Sequence, residues 1–313
     1  MLIVIEGVDK AGKSTLANKL SELLSWPVVH FGKPGPDPAL EYIKFLQDLG
    51  TKNIICDRFY AGELVYGPLL RGKQVLTPLQ VVTIERQIRA HLGIMIHVNP
   101  PFNIIEERYH KLGDDLITLP QNKRAYEMFN TVCPMRKVHL NLQWDGSGDI
   151  NKIAQKIVGV ALDLQQKSWV CTRSATGIGT VYGEKIVFVG EKVNEKTTWV
   201  GLPFDSGPCA DYLLRGMLLA GLDDRKVYIT NANTISTEEV NALKEHTPAQ
   251  FIALGNVASE KLKTLGIAGV KIPHPQFWNR FHHQDIEGYS MLIKNAIAEA
   301  YTYNVYSSLR QYN

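Results

Sequence analysis

Leu2-Ile3-Val4-Ile5-Glu6-Gly7-Val8-Asp9-Lys10-Ala11-Gly12-Lys13-Ser14-Thr15 is the stretch whose reading decides the fold. Leu2 to Ile5 are consecutive apolar residues, as in a strand buried on both faces of a parallel sheet. Gly7 to Ser14 fit G-x-x-x-x-G-K-[ST], and an amphipathic stretch from Thr15 to Leu24 follows. Strand, glycine loop and helix are the context that makes this pattern a P-loop. The glycines let successive backbone N–H groups face one centre at a helix N-terminus, where the dipole favours phosphate. Gly7, Val8, Asp9, Lys10, Ala11, Gly12, Lys13, Ser14 and Thr15 are therefore the expected seat of a nucleoside triphosphate, ATP. Lys13 would bridge the terminal phosphates, and the Ser14 hydroxyl would ligate Mg²⁺.

The rest of the composition narrows what surrounds that loop. At 313 residues the chain has room for two domains. The formal charge is +3, split as 20 basic and 17 acidic residues up to Lys167 and 14 of each beyond it. Neither part is a basic domain, so contact with DNA has to come from local patches. Cys56, Cys133, Cys171 and Cys209 are scattered, with no C-x-x-C, which speaks against a disulfide framework and a zinc site and suits a reducing cytosol. No apolar run approaches a membrane span, and Glu6 and Asp9 interrupt the first apolar run as no signal peptide would. The expected location is cytoplasmic, in a host cytoplasm if the chain is viral.

Strand and helix alternate through residues 1–168. The expected strands are Leu2–Ile5, Val28–Phe31, Asn53–Cys56, Ile94–Val98 and His139–Leu142. Helices are expected at about 13–24, 38–49, 78–92, 102–110 and 122–132, and Asp149 can cap a closing helix from Ile150 to Gln166. Strands joined by helices imply an α/β fold with a parallel sheet. A second alternation starts afresh in residues 169–313, with strands at Lys185–Val189, Lys226–Thr230, Gln250–Leu254 and Val270–Ile272. Helices at about 207–221, 236–246, 257–265 and 284–300 separate and close them. The boundary in Lys167-Ser168-Trp169-Val170-Cys171-Thr172 has no long linker, so domains packed together are expected rather than tethered ones.

Ile54-Ile55-Cys56-Asp57-Arg58-Phe59-Tyr60 carries the second signal. An acidic–basic pair at the carboxyl end of a buried strand lies where α/β sheets bind ligands. Asp57 can hold Mg²⁺-bound water or a sugar hydroxyl, and Arg58 can clamp an anionic acceptor. With Val65-Tyr66-Gly67-Pro68 and Leu69-Leu70-Arg71-Gly72 behind it, and a basic residue in the middle of the P-loop, the stretch resembles thymidylate kinases. The likeness continues more loosely through Ile96–Pro101 and Glu106-Glu107-Arg108 into Lys111-Leu112-Gly113-Asp114. It implies that Asp9 and Asp57 orient acceptor and metal, that Lys10, where the family often has Arg, neutralises charge on the transferring phosphoryl group, and that Arg58 holds an acceptor phosphate. It places Tyr66 and Arg71 against the acceptor base. Lys111, Arg108, Lys123 and Arg124 are lid candidates. The family's Gln after Tyr is Gly67 here, and its Gly is Pro68, so a base-reading side chain is lost.

Gly190-Glu191, then Gly201-Leu202-Pro203-Phe204-Asp205-Ser206-Gly207-Pro208, Val227-Tyr228-Ile229-Thr230-Asn231, Leu254-Gly255 with Ala258, and His274-Pro275 follow in the second half. In order and spacing this set resembles the uracil-DNA glycosylase superfamily. The resemblance implies a domain that captures a flipped base: Phe204 stacks on the pyrimidine, and Asn231 or Asn233 pairs with its Watson–Crick edge. Glu191 would orient water or stabilise a developing cation, and His274 belongs to the base site. The loop after His274-Pro275, with Phe277, Trp278 and Arg280, would wedge into the duplex. Gly190-Glu191-Lys192-Val193-Asn194 lacks the family's shaping Pro-Gly, and Cys171 and Cys209 alone cannot hold the family's iron–sulfur cluster. A fold that recognises a base without cutting it is the expectation, and the His282-His283 pair reads as surface.

Together the halves resemble the thymidylate-kinase-like DNA kinases of bacteriophages. These phosphorylate 5-hydroxymethyluracil in DNA to 5-phosphomethyl-deoxyuridine during thymine hypermodification. The expected partner is DNA containing a modified pyrimidine. The alternative is a kinase of free deoxynucleoside monophosphates fused to an independent glycosylase-like module.

Overall fold

In the computed structural model of the chain, residues 1–50, 52–113, 117–146, 148–168, 177–180, 184–192, 202–245, 248–282 and 285–310 are described. Expectations attached to Asp114, Ser147, Trp169 to Thr172, Val193, Asn194, Gly201 and His283 lie outside the described residues. The chain divides into two units, Met1–Trp169 and Val170–Asn313.

The first unit has strands β1 (Leu2–Glu6), β2 (Val28–His30), β3 (Ile54–Asp57), β4 (Ile94–Val98) and β5 (Leu140–Trp144). Its helices are α1 (Lys13–Leu24), α2 (Pro38–Leu49), α3 (Tyr60–Arg71), α4 (Pro78–Ala90), α5 (Phe102–Leu112), α6 (Leu119–Val132) and α7 (Ile150–Ser168). The strands make one sheet in the order β2-β3-β1-β4-β5, with every pairing parallel. Leu2 to Ile5 are fully buried, as a strand covered on both faces has to be. The register sets Ile5 opposite Asp57 and Glu6 opposite His97, so the carboxyl ends of three central strands bring their polar residues to one edge.

Two helices differ from the expectation. The sequence between Tyr60 and Arg71 holds Gly62, Gly67 and Pro68, which read as breakers, yet it forms α3. The Glu6 carboxylate takes up the N–H groups of its first turn, and that tertiary support outweighs weak propensity. Helix α6 starts at Leu119 rather than near 122 because Thr118 and Gln121 form a reciprocal capping box, with Pro120 inside the first turn.

The second unit has strands β6 (Ile178–Gly179), β7 (Lys185–Gly190), β8 (Val227–Asn231), β9 (Ala249–Leu254) and β10 (Gly269–Ile272). Its helices are α8 (Gly207–Leu219), α9 (Thr237–Lys244), α10 (Asn256–Thr264), α11 (Pro275–Phe281) and α12 (Ile286–Arg310). The sheet order is β10-β9-β7-β8-β6; the first four strands run parallel and β6 pairs antiparallel with β8. Val187, Val189, Phe251, Val240 and Leu262 pack into a core on one face. On α8, Gly216 admits α12 closely, since a Cβ there would stand 2.9 Å from the Tyr289 ring. The segment after His274 is helix α11, not a loop: Pro275 occupies the first position, and His274 Nδ1 accepts the Gln276 N–H at 3.3 Å. Among the described residues no helix is long and apolar enough to cross a membrane.

Candidate active site

Gly12, at φ 106°, ends the loop and caps α1 in a conformation only glycine takes freely. Lys13 is buried, its Nζ donating to the Val8 carbonyl at 2.8 Å and lying 3.6 Å from Asp9. Burial pushes the Lys13 ammonium below its ordinary range, and Asp9 pulls it back up. Lys10 stands in the left-handed region at φ 67°, as does Arg58 at φ 70°. For a residue with a side chain this geometry is strained, and such strain clusters where a site is pre-organised.

Two pockets flank these residues. One, of about 820 Å³, is lined by Asp9 to Thr15, by Arg58, Arg108 and Lys111, and by Trp144 at the end of β5. The second, of about 330 Å³, is lined by Glu6, Gly7, Lys33, Tyr66, Arg71 and the rings of Phe31, Tyr42, Phe59 and Phe129. Asp9 and Arg58 line both, and they form an ion pair. Of the loop residues, Gly7 therefore faces the smaller pocket, and Val8 serves through its carbonyl. Tyr66 and Arg71 both lie in the smaller pocket, where Arg71 is paired with Glu63. A Cβ at Gly67 would stand 3.4 Å from Arg71 Nη2, so that position lies beside the guanidinium and not in the pocket wall.

Of the lid candidates, Arg108 and Lys111 line the larger pocket, whereas Lys123 and Arg124 do not. Arg108 braces the loop: its Nη1 donates to the carbonyls of Lys10 at 3.0 Å and Ala11 at 2.9 Å. Charge-assisted bonds of this kind contribute about 1.5–3 kcal/mol. Arg108→Ala is therefore expected to weaken ATP binding about tenfold or more, read by calorimetry. An unaltered ATP affinity would contradict the bracing role.

The residues present fit Mg²⁺. Ser14 Oγ donates to Asp57 Oδ2 at 2.6 Å, which leaves the Ser14 oxygen lone pairs free for a cation. Asp57 Oδ1 is buried without a hydrogen-bond partner among the described residues. His30 Nδ1 also lies 3.2 Å from Asp57 Oδ2. Ser14 would ligate the ion directly, and Asp57 would take its bound water.

Glu6 has no sequence signal beyond its place before the loop. It is fully buried, and burial pushes its carboxyl up to about 7, against the lowering effect of Lys13 and of N–H bonds from Phe59, Gly62 and Ala61. The folded value lies above the unfolded one. Its stabilising contribution is thus complete below about pH 4.5 and is lost as pH rises through about 7. The loss is on the order of 3 kcal/mol. Chemical denaturation is expected to show wild type losing stability between about pH 5 and about pH 8 by an amount that Glu6→Gln does not lose. Equal pH dependence in the two proteins would contradict this.

In the second unit, Glu191, Phe204, Asn231 and His274 line one cavity of about 650 Å³, together with Cys209 and Arg280. Asn233 does not line it. Phe204 sits at φ 52° in the turn before α8, half-buried, its ring 6.1 Å from the His274 ring. Gly190 makes room at the strand end: a Cβ there would lie 2.5 Å from both Asn231 Oδ1 and Phe204 Cε2. Asn231 is buried, and neither Oδ1 nor Nδ2 has a hydrogen-bond partner among the described residues. His274 Nδ1 is engaged by Gln276, its Nε2 lies 3.9 Å from Cys209 Sγ, and burial lowers its ring below the usual range. Trp278 packs on His282 at 3.7 Å and donates to the Asp285 carbonyl, so it is an anchor; Phe277 and Phe281 are exposed rings on α11. Among the described residues no three His, Cys, Asp or Glu side chains come together as a metal-binding group.

Sequence reasoning missed Glu6, Lys33 and the aromatic wall of the smaller pocket. Phe31, Tyr42 and Phe129 sit inside apolar patterns and read as core. The signal that could have found them is position, since Phe31 and Lys33 follow the carboxyl end of a strand.

No protein-family model matches the chain. Over 164 residues, half of this chain and 96% of the relative, it is 30% identical to the SPbeta prophage-derived uncharacterized protein YorR of Bacillus subtilis (strain 168). The crystal structure of YorR in complex with phosphorylated GDP aligns with TM-score 0.46 and 26% identity, over 53% of this chain and 98% of that one. Deoxyadenosine kinase from M. mycoides with products dCMP and a flexible dCDP bound aligns with TM-score 0.35 and 18% identity, over 52% of this chain and 100% of that one. The first unit carries its P-loop on a five-stranded parallel sheet, and by the sequence match the chain belongs to the family of YorR.

Proposed function

We propose that the protein is an ATP-dependent phosphotransferase whose acceptor is the hydroxymethyl group of 5-hydroxymethyluracil in DNA. The observation that carries the phosphotransfer is the sharing of Asp9 and Arg58 between the two pockets. A donor in the larger pocket and an acceptor in the smaller one would meet at that pair. The hydroxyl oxygen of the acceptor attacks the γ-phosphorus, the bond to the β–γ bridging oxygen breaks, ADP leaves, and the hydroxyl proton passes to solvent. Mg²⁺, when bound, neutralises charge on the phosphates; positioning and dense positive charge from Lys10, Lys13 and Arg58 do the rest. The volume of about 330 Å³ suits one nucleotide, with aromatic rings for its base.

The DNA part of the reading is supported by Asn231. A buried amide with both its donor and its acceptor unused is matched to the paired acceptor and donor of a uracil edge. Beside Phe204 it reads as a pyrimidine-capturing site in a domain of uracil-DNA glycosylase type. The domains in this reading are the kinase at 1–168 and the base-recognition domain at 169–313.

A second reading is favoured by Arg58. A guanidinium lining the acceptor pocket suits an acceptor's own phosphate, as a free deoxynucleoside monophosphate would bring. Transfer of labelled γ-phosphate from ATP with Mg²⁺ separates the two. Duplex DNA containing 5-hydroxymethyluracil and free thymidylate-type monophosphates are offered in parallel. Label in DNA, released on digestion as a modified nucleotide, supports the first reading. Label in free nucleotides alone supports the second, and label in neither overturns both.

A further inference from the structure

We propose that Glu6 is a specificity-determining residue of the smaller pocket. Its Oε2 accepts a hydrogen bond from an N–H or O–H group of the bound nucleotide. This rests on the acceptor reading of that pocket. The two oxygens of Glu6 are used unequally. Oε1 accepts the backbone N–H groups of Phe59 at 2.9 Å, Ala61 at 3.0 Å and Gly62 at 3.4 Å, which supports the start of α3 and fixes the carboxyl group. Oε2 is buried at the pocket and has no hydrogen-bond partner among the described residues. Holding up a helix start needs one oxygen, and an amide would supply it. The second oxygen is surplus to that structural task, and leaving it dry and unpaired is unfavourable. An incoming donor removes that cost.

The neighbouring residue adds no side chain against the oxygen. Gly62 lines the same pocket, and a Cβ on it would stand 3.7 Å from Oε2, in ordinary contact. A side chain at that position would roof the carboxylate. The pocket's other carboxylates are already engaged, Asp9 with Arg58 and Glu63 with Arg71, and Lys33 is a cation that donates. Glu6 is thus placed to recognise a donor on the nucleotide, where the cations recognise acceptors and anionic groups.

Calorimetric titration of the full chain with thymidylate and with 5-hydroxymethyl-deoxyuridylate tests this, with ATP titrated separately. Glu6→Gln keeps an oxygen for the three N–H groups and puts an NH₂ where Oε2 was. It is expected to raise the Kd of both nucleotides about tenfold to a hundredfold and to leave the Kd of ATP within about twofold. Gly62→Ala leaves Glu6 intact and covers its oxygen; it is expected to weaken the same two ligands in the same sense. Unchanged nucleotide affinity in both variants, or an equal loss for ATP, overturns the proposal. Nucleotides that bind wild type but accept no phosphate would overturn the phosphotransfer reading and leave Glu6 to be decided by the Kd values. If neither nucleotide binds wild type, both fall.

Discussion

Lys13→Ala is expected to abolish phosphoryl transfer, lowering kcat by at least about a thousandfold with either acceptor. Lys13 is the cation held at the head of the loop, its Nζ anchored on Val8 and facing Asp9. The ammonium is kept dry, and a charge in a dry site acts on developing phosphate charge with little screening. Removing it also takes a desolvated charge out of the fold, so the unfolding midpoint is not expected to collapse. Single-turnover measurement with labelled ATP reads the effect. Transfer retained within tenfold would move the site away from this loop.

The second large effect lies in the other unit. Asn231→Ala is expected to lower kcat/KM on DNA containing 5-hydroxymethyluracil about a hundredfold, while transfer to free nucleotides is unchanged. Stability is expected to move the opposite way. Both polar atoms of the Asn231 side chain are buried without partners, so truncation relieves an unmet desolvation cost and the midpoint holds or rises. Lost activity with undiminished stability is what a ligand-binding group shows and a structural one does not. A DNA activity untouched by Asn231→Ala would sink the idea that the second unit presents the base.

The legible parts of the fold are those with short-range causes. The strand, glycine loop and helix from Leu2 to Leu24 were readable because a phosphate-binding turn demands its glycines at fixed spacing. Residues at strand ends, Asp57 and Asn231, stood out because polar groups that close an apolar run need a reason. Helix α3 was hidden: Gly62, Gly67 and Pro68 oppose it locally, and what upholds its first turn is Glu6, more than fifty positions away in sequence. The pairing of Asp9 with Arg58 joins residues 49 positions apart, and no periodicity encodes it. The aromatic wall was hidden for a different reason, since Tyr42 on α2 and Phe129 on α6 serve core and pocket at once. The wedge expected after His274 is a helix because its prolyl start and the imidazole cap act together, a combination that a loop reading of His-Pro overlooks.

The strand order has a consequence for the chain as it is being made. β1 leaves the ribosome before the strands it pairs with, yet it is the middle of its sheet, and its partners begin at Ile54 and Ile94. Until β4 has emerged, the strand beneath the phosphate loop has an unpaired edge, and parallel pairing of this kind closes long loops before any contact rewards it. The nascent segment must therefore stay unaggregated for roughly a hundred residues of synthesis, which at about 5–20 residues per second is about 5–20 seconds. Nucleotide can act as a folding ligand only after that interval, and a translational pause placed shortly beyond Val98 would lengthen the time available for the sheet to close.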